Sequence, residues 1–295
     1  MVIVKIMGGI ASQLHKYAVG RAVSLKYSMP LFLDLSWFES TPECDTPRVF
    51  RLNEFSTHYE IASKEQIERL TGSKAVIRVK DALLNRFGIN LHKKSYIARA
   101  PWNLPGREDL KNGIYLAGEW GGDKYFSDIK NILVNEFKPA EALSETAKQY
   151  LQEITQSQSV SVHIRRGDYV SNINAAKLHA LCDKGYYVAA SELMVARIKS
   201  EKYFLFSDDK QEALKMVEGL DVTLIDGISD VEEFYLMSQC KHNICANSGF
   251  SYLAAWIGTE KDKVVISPKK WVKDPVRNSQ IFESFYCDGW IYLDN

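Results

Sequence analysis

The sequence predicts an α/β fold with two α/β halves. Short β-branched runs alternate with helical patterns along the chain, and the strand–helix–strand order that begins at residue 2 continues through the second half. Such alternation is typical of parallel sheets that are covered by helices. The length of 295 residues agrees with two domains, because a single domain usually has about 100–200 residues.

Composition places the chain among ordinary soluble globular proteins. The formal net charge is zero, which argues against a protein that binds nucleic acid through a basic surface. Five scattered cysteines without a Cys-x-x-Cys pair indicate reduced thiols rather than disulfides or a zinc site. The first apolar run is too short for a signal peptide, and no stretch approaches the ~20 apolar residues of a membrane span. We therefore expect a cytoplasmic protein.

The first half opens with a β-α-β unit. A strand at residues 2–6 is followed by the glycine turn 7–13 (MGGIASQ), a helix from Leu14 and a second strand at 31–35. A helix that starts at a glycine turn presents backbone N–H groups and the positive end of its dipole, which suits a pyrophosphate. The G-x-G-x-x-G spacing is absent, so tight backbone geometry would explain these glycines equally well.

The rest of the first half is less regular. Residues 36–55 have a loop-like pattern, and residues 81–97 are ambiguous. We predict a helix at 61–70, a strand at 113–120, a helix that ends at 134 and an amphipathic helix at 142–154.

The polar run 155–158 (TQSQ) is the best linker candidate in the chain. We therefore expect an N-terminal domain at 1–156, a C-terminal domain at 157–280 and a tail at 281–295. Residues 171–183 have the pattern of a polar loop. The C-terminal half is predicted to contain strands at 159–162, 203–206, 222–225, 243–246 and 263–267, helices at 186–199, 211–218, 230–240 and from 247, and an irregular segment beyond Pro268.

The first strand of the second half ends in a dense polar cluster. His163, Arg165, Arg166 and Asp168 follow directly after an alternating run. Ligands of open α/β sheets bind beyond the carboxyl ends of strands, and a guanidinium there presents a fixed fork of donors to two phosphate oxygens. A surface strand end whose arginines meet solvent or a carboxylate is the alternative.

Two further strand ends carry polar side chains. Asp208 and Asp209 follow one strand, and Asn247, Ser248 and Ser251 follow another. In a parallel sheet these ends share one edge, so the sequence predicts a nucleotide diphosphate site there. An ordinary helix N-cap would also explain the serines. The aspartate pair could hold a divalent metal, although Arg165 could neutralise a diphosphate without one, and we prefer the metal-free site.

These motifs resemble those of the α-1,2-fucosyltransferases of glycosyltransferase family 11. The resemblance lies in residues 163–169 (HIRRGDY), 234–251 and 267–271 (SPKKW). Residues 8–21 are similar to the opening motif of the family, whereas residues 36–113 match it only loosely.

The resemblance implies a GT-B type fold, in which two Rossmann-like domains face each other across a cleft. It implies that the C-terminal half binds GDP-fucose, that the N-terminal half binds the acceptor, and that transfer proceeds with inversion and without a metal or other cofactor. The product nucleotide would be GDP. The acceptor implied by the family is a galactoside of a bacterial surface glycan, and a lipid-linked acceptor would bring the protein loosely to the inner face of the membrane.

By the same resemblance, Arg165 would contact the diphosphate, and we expect it to act in catalysis because negative charge builds on the departing phosphate. His163 and Glu233 would contact the guanine, and Asp208 the nucleoside. Asp168 is the second predicted catalytic residue, and Glu119 and His15 remain alternatives for the base. The predicted substrate-binding residues are Gly9, Ile10, Ala11, Ser12, Gln13, His163, Arg166, Asp208, Glu233, Asn247, Ser248, Gly249, Phe250 and Ser251.

The chain departs from the family pattern near the expected sugar and acceptor. Residues 11–13 are Ala-Ser-Gln where the family has Gly-Asn-Gln, and residues 118–121 are Gly-Glu-Trp-Gly where it has Gly-Tyr-Trp-Gln. Tyr252 and Leu253 also differ from the two aromatic residues usual there. The donor sugar therefore stays open between fucose and a related GDP-linked 6-deoxyhexose such as colitose. A non-catalytic module that binds nucleotide or carbohydrate is a further alternative, and nucleic-acid binding ranks last.

Overall fold

The structure is a computed structural model that describes residues 1–39, 47–72, 95–98, 113–199 and 201–295. Contacts divide the chain into two compact units. The first consists of Met1–Leu52, Thr57–Trp120 and Lys124–Ile129, and the second of Asn53–Ser56, Gly121–Asp123 and Lys130–Asn295. Each unit contains one sheet, and the pairings between its described strands are parallel. The predicted α/β class with two parallel sheets is confirmed.

The first unit has a five-stranded sheet in the order β3-β2-β1-β5-β4. Its strands are β1 (Val2–Lys5), β2 (Leu31–Asp34), β3 (Glu60–Ile61), β4 (Ser95–Ala98) and β5 (Gly113–Leu116). Its helices are α1 (Ile10–Tyr27), α2 (Ser36–Glu39) and α3 (Lys64–Thr71).

Strand β1 lies at the centre of this sheet, and Val2, Ile3 and Val4 are completely buried. A strand that is apolar on both faces is typical of a parallel sheet with helices on each side. Gly20 of α1 lets the helix approach this strand closely, because a Cβ there would lie 2.9 Å from Cγ1 of Val4. The glycine turn before α1 follows β1 directly and therefore lies at the carboxyl end of this strand.

The second unit has a six-stranded sheet in the order β11-β10-β9-β6-β7-β8. Its strands are β6 (Gln158–Ile164), β7 (Glu201–Ser207), β8 (Val222–Leu224), β9 (His242–Ile244), β10 (Val265–Pro268) and β11 (Ile291–Leu293). Its helices are α4 (Lys130–Glu136), α5 (Glu145–Gln156), α6 (Gly167–Ser171), α7 (Ile173–Leu178), α8 (Lys184–Arg197), α9 (Lys210–Met216), α10 (Asp230–Gln239), α11 (Gly249–Ile257) and α12 (Pro275–Phe285).

The strand order reverses direction at β6. The chain runs outward from β6 through β7 to β8, and then returns to β9 on the other side of β6. Loops that leave in opposite directions open a crevice at the carboxyl ends of the strands, which is where open α/β sheets bind ligands. The segments after β6, β7 and β9, which the sequence marks as polar, therefore share the edge of the sheet where this switch occurs.

Two segments are more regular than predicted. Residues 171–183 contain α7, because the Asn172 side chain accepts hydrogen bonds from the backbone N–H groups of Asn174 and Ala175 and starts a helix. The segment beyond Pro268 is also not irregular. It contains α12, whose N terminus is capped by Asp274, and β11, which pairs in parallel with β10.

The predicted domain limits at 156 and 280 stay a prediction. In the division by contacts, residues 130–156 group with the second unit. The prediction for residues 81–97 lies largely outside the described residues, which include only 95–97 of that range. Among the helices that the structure describes, none has the length and apolar character needed to cross a bilayer.

Candidate active site

One carboxylate organises the loop that follows β6. Oδ2 of Asp208 forms an ion pair with Nη1 of Arg165 at 2.7 Å. Oδ1 of the same side chain accepts the backbone N–H groups of Arg166 at 2.9 Å and Gly167 at 3.1 Å. The parallel register of β6 and β7 makes this contact possible, because it pairs Ile164 with Ser207 at the strand ends.

Gly167 lies where the loop packs against this carboxylate. A Cβ on Gly167 would lie 2.4 Å from Oδ2 of Asp208, which is closer than two such atoms can approach. The glycine of the HIRRGDY motif thus allows the backbone to pack directly against the aspartate.

Tyr169 connects the loop after β6 with the loop after β9. Its hydroxyl donates to the backbone carbonyl of Asn247 at 3.2 Å. Its ring stacks on His179 with centroids 3.9 Å apart, and the Arg165 guanidinium lies 5.4 Å from the ring centroid of Tyr169. A cation near an aromatic face is attracted by the quadrupole of the ring. Arg165 is therefore held by a carboxylate and by an aromatic ring.

His163 lies near the end of β6 as a buried, neutral imidazole. Its side chain is enclosed, and its ring centroid is 5.7 Å from that of Phe250. Burial, reinforced by the charge of Arg165, lowers the pKa of His163 to about 3. Within the described part of the chain, its Nδ1 has no hydrogen-bond partner. A buried polar atom of this kind is suited to a hydrogen bond with a ligand, because leaving it unpaired costs free energy.

Glu233 lies on α10 in a region rich in carboxylates. Burial raises the pKa of Glu233 to about 7. The nearby carboxylates of Asp230, Asp226 and Asp208 contribute to this raised pKa, and the Lys210 ammonium, which forms an ion pair with Asp226, acts against it. At neutral pH this carboxyl group can therefore either donate or accept a hydrogen bond.

The loop after β9 uses most of its polar side chains to hold its own shape. The amide nitrogen of Asn247 donates to the backbone carbonyls of Ala180 and Trp271. The Ser251 hydroxyl accepts the N–H of Ala246 at 3.2 Å. Ser248 caps α11 by accepting the N–H of Phe250 at 3.3 Å. Gly249 and Phe250 lie in the first turn of this helix.

In the first unit, the turn before α1 has a different character. Gly9 is the N-cap residue of α1, and no side chain caps the helix there. The buried side chain of Gln13 donates to the carbonyls of Gly8 at 2.8 Å and Val49 at 2.9 Å, and accepts the N–H of Arg51. Gln13 thus fixes the turn through its side chain. Substrate contacts of Gly9, Ile10, Ala11, Ser12 and Gln13 stay predictions.

The structure differentiates the three candidate bases. His15 is buried, its Nδ1 lies 2.8 Å from the Ala11 carbonyl oxygen, and burial lowers its pKa to about 4. Glu119 is exposed and pairs with the buried Lys16 at 2.7 Å. The backbone of Asp168 belongs to α6, whereas its side chain lies outside the described residues. The role of Asp168 as a catalytic residue therefore stays a prediction.

The two adjacent aspartates have different partners. Asp209 caps α9 by accepting the N–H of Glu212, whereas Asp208 binds Arg165 and the loop backbone. In the ranges that the structure describes, no group of three or more His, Cys, Asp or Glu side chains is placed to hold a metal ion.

Contacts in the second unit bring together several of the predicted residues. Ion pairs, hydrogen bonds, ring contacts and electrostatic interactions connect His163, Arg165, Arg166, Asp208, Glu233, Asn247 and Phe250 around the ends of β6, β7 and β9. Sequence reasoning did not assign roles to Tyr169, His179 and Lys210. The position of Tyr169 in the HIRRGDY motif was the available signal for the first, and nothing in the sequence marked the other two.

Comparison with known proteins gives matches along most of the chain. The model of the family described as Glycosyl transferase family 11 matches residues 75–294. The α-1,2-colitosyltransferase of Escherichia coli is 30% identical over 285 residues, which cover 95% of each chain. The O-antigen biosynthesis glycosyltransferase WbnK of Escherichia coli is 29% identical and covers 97% of this chain and 98% of its own. The mouse galactoside 2-α-L-fucosyltransferase Sec1 is 25% identical over 68% of this chain and 56% of its own.

The raised pKa of Glu233 predicts a specific pH dependence of stability. An unfolded chain loses this proton near pH 4.5, whereas the folded protein keeps it up to about pH 7. Between these values the folded state binds more protons, so the free energy of unfolding falls as the pH rises. We expect urea denaturation to show this fall for the wild type relative to Glu233→Gln between about pH 4.5 and 7.

Glu232→Gln is the matched control on the same helix. Although burial acts to raise the pKa of Glu232, hydrogen bonds from Ser229 and Ser144 lower it overall, which is opposite to the shift at Glu233. The free energy of unfolding of the wild type relative to Glu232→Gln should therefore not fall as the pH rises through this window, because near its lower limit the unfolded chain binds more protons at this position than the folded protein does. A wild type that parallels Glu233→Gln at every pH would show that the Glu233 carboxyl group ionises normally.

Proposed function

Because this chain belongs to glycosyltransferase family 11, we propose that it transfers L-fucose from GDP-β-L-fucose to the 2-hydroxyl of a galactoside, with inversion to an α-1,2 linkage. The arrangement around Arg165 is the single observation that supports this proposal most strongly. The guanidinium lies after the central strand of a parallel sheet, at the point where the strand order reverses. That is the position at which a diphosphate would be expected.

The neighbouring groups suit the remaining parts of the donor. The buried Nδ1 of His163 and the carboxyl group of Glu233 offer hydrogen bonds to the edge of a guanine. The start of α11 at Ser248 offers backbone N–H groups and the positive end of a helix dipole to the phosphates. We assign these roles to the second unit, which alone supplies the residues named here.

The proposed reaction is a single displacement. The acceptor hydroxyl oxygen attacks C1 of the β-linked sugar and forms the new bond as the bond from C1 to the phosphate oxygen breaks. GDP leaves with the electron pair of that bond, and the hydroxyl proton passes to a base, for which Asp168 is our proposal. Negative charge grows on the departing β-phosphate while the sugar becomes oxocarbenium-like. A fixed cation at the phosphate therefore stabilises the transition state more than the bound substrate.

GDP-colitose is a second candidate for the donor. The relative named as an α-1,2-colitosyltransferase matches nearly the whole of this chain, whereas the fucosyltransferase Sec1 matches a smaller part. Colitose lacks one ring hydroxyl that fucose carries. A site that hydrogen-bonds this hydroxyl would strongly reject colitose, whereas an apolar pocket would discriminate only weakly.

We propose that the acceptor is a galactoside of an O-antigen glycan. The name of the relative WbnK, an O-antigen biosynthesis glycosyltransferase, supports this proposal. A lipid-linked galactoside would bring the protein to the inner face of the bacterial inner membrane as a peripheral, cytoplasmic enzyme. In this proposal neither nucleic acid nor a metal takes part.

Replacing Arg165 should affect the chemical step most. We expect Arg165→Ala to raise the barrier by about 3–4 kcal/mol, a fall in kcat of about 10²–10³-fold, as for a lost donor to a developing oxyanion. Arg165→Lys keeps the charge without the planar fork and should be intermediate. Release of GDP from the GDP-sugar in the presence of acceptor measures the effect. Arg277→Ala, a change on the exposed surface of α12, is the control, and near-normal turnover by Arg165→Ala would contradict the assignment.

A donor screen tests the proposed reaction itself. The protein is incubated with an array of galactosides and equal amounts of GDP-fucose and GDP-colitose, and mass spectrometry identifies the products. We expect transfer of one of the two sugars to a galactoside, with fucose preferred. Transfer of colitose with little fucose would support the second candidate. Binding of GDP without transfer from either donor to any galactoside would contradict both.

A further inference from the structure

We propose that Asp208 is a positioning residue, which fixes the guanidinium of Arg165 for the diphosphate and does not itself contact the nucleoside. This inference depends on the proposed function, because it assumes that Arg165 binds the diphosphate of a GDP-sugar. It replaces the nucleoside contact that the family resemblance implies for Asp208 with a role that the contacts of this side chain support.

Both carboxylate oxygens of Asp208 are used by the loop after β6. Oδ2 binds the Arg165 guanidinium at 2.7 Å, and Oδ1 accepts the N–H groups of Arg166 and Gly167. The side chains of Arg165 and Asp208 are only 24% and 26% exposed, so this pair is less weakened by solvent than a surface ion pair would be. A nucleoside that donated a hydrogen bond to this carboxylate would have to share an oxygen that the loop already uses.

The backbone keeps Asp208 in place independently of Arg165. The register of β6 and β7 brings the two strand ends side by side, and Gly167 packs so closely on the carboxylate that no Cβ fits between them. Asp208 would therefore stay where it is when the guanidinium meets a phosphate. These contacts favour Asp208 as a fixed partner of Arg165. The alternative is that its carboxylate occupies the anion site of the free protein and is displaced when the nucleotide binds.

Positioning has a physical consequence for binding. An arginine side chain loses much rotational freedom when it is immobilised by a ligand. Asp208 and the ring of Tyr169 restrict the guanidinium before the nucleotide arrives. The side chain has therefore lost this conformational entropy in the free protein, and nucleotide binding does not reduce it again. Removing the charge of Asp208 should then weaken the interaction with the diphosphate and leave the interaction with the nucleoside unchanged.

Binding measurements with two ligands distinguish a positioning role of Asp208 from direct contact with the nucleoside. Binding of GDP and of guanosine, which lacks the diphosphate, is measured by calorimetry for the wild type, Asp208→Asn, Arg165→Ala and the double variant. Asp208→Asn keeps an oxygen that can accept the N–H groups of Arg166 and Gly167 but loses the negative charge. Asp209→Asn is the matched control, because this neighbour caps α9 and asparagine is an equally good N-cap.

We expect Asp208→Asn to weaken GDP binding about tenfold, the lower end of the loss that follows when a group that orients a metal ligand is removed. Guanosine binding should stay within about twofold of wild type, a margin smaller than the loss of one direct hydrogen bond. In the Arg165→Ala background, Asp208→Asn should have no further effect on GDP, because Asp208 acts through Arg165. Asp209→Asn should bind both ligands as the wild type does.

Each other outcome contradicts the inference in a recognisable way. Weaker guanosine binding by Asp208→Asn would show direct contact with the nucleoside. Tighter GDP binding would show that Asp208 competes with the diphosphate for Arg165. Additive losses in the double variant would show that Asp208 acts independently of Arg165, or that the loop has collapsed. These results leave the proposed function intact, whereas a wild type that does not bind GDP would overturn both.

Discussion

The ion pair between Asp208 and Arg165 is the interaction on which the candidate site depends. It joins the ends of β6 and β7, and the same carboxylate binds the backbone of the loop that carries the HIRRGDY motif. The pair forms because two neighbouring parallel strands end in register. A central strand that is held on both sides is a rigid support, so a charged group placed at its end is well defined in position.

Titratable groups near this ion pair are kept wholly or partly neutral. Burial keeps His163 neutral and holds much of the Glu233 population protonated near pH 7. Asp208 in turn compensates Arg165, so the guanidinium is held without leaving an uncompensated charge in a partly buried place. Such a site can receive a doubly charged diphosphate through Arg165 and the start of α11, while neutral hydrogen-bonding groups meet the base.

Local patterns in the sequence predicted most of the fold and the strand end at which the candidate site lies. The alternation of strands and helices gave the parallel sheets, and the cluster that begins at His163 identified the carboxyl end of the central strand. Local patterns were insufficient for short or capped elements. Helix α7 begins because Asn172 caps it, and β11 has only three residues, so neither produces a clear periodicity. Strand β11 forms because its backbone pairs with β10.

Contacts between residues that are far apart in the sequence could not be predicted either. Gln13 binds the carbonyl of Val49, and Tyr169 stacks on His179 and binds the carbonyl of Asn247, because the fold places these segments together. No spacing rule in one sequence predicts such contacts. The same limit applies to Asp208: the family resemblance implies a nucleoside contact for it, and only the structure places the Arg165 guanidinium and two backbone N–H groups around its carboxylate.

A crystal structure of the protein with bound GDP tests this account most directly. The account predicts phosphate oxygens of GDP within about 3 Å of the Arg165 guanidinium. It also predicts that Asp208 keeps both its ion pair and its hydrogen bonds to the loop after β6. GDP bound away from Arg165, or an Asp208 side chain displaced from the guanidinium by the nucleotide, would contradict it.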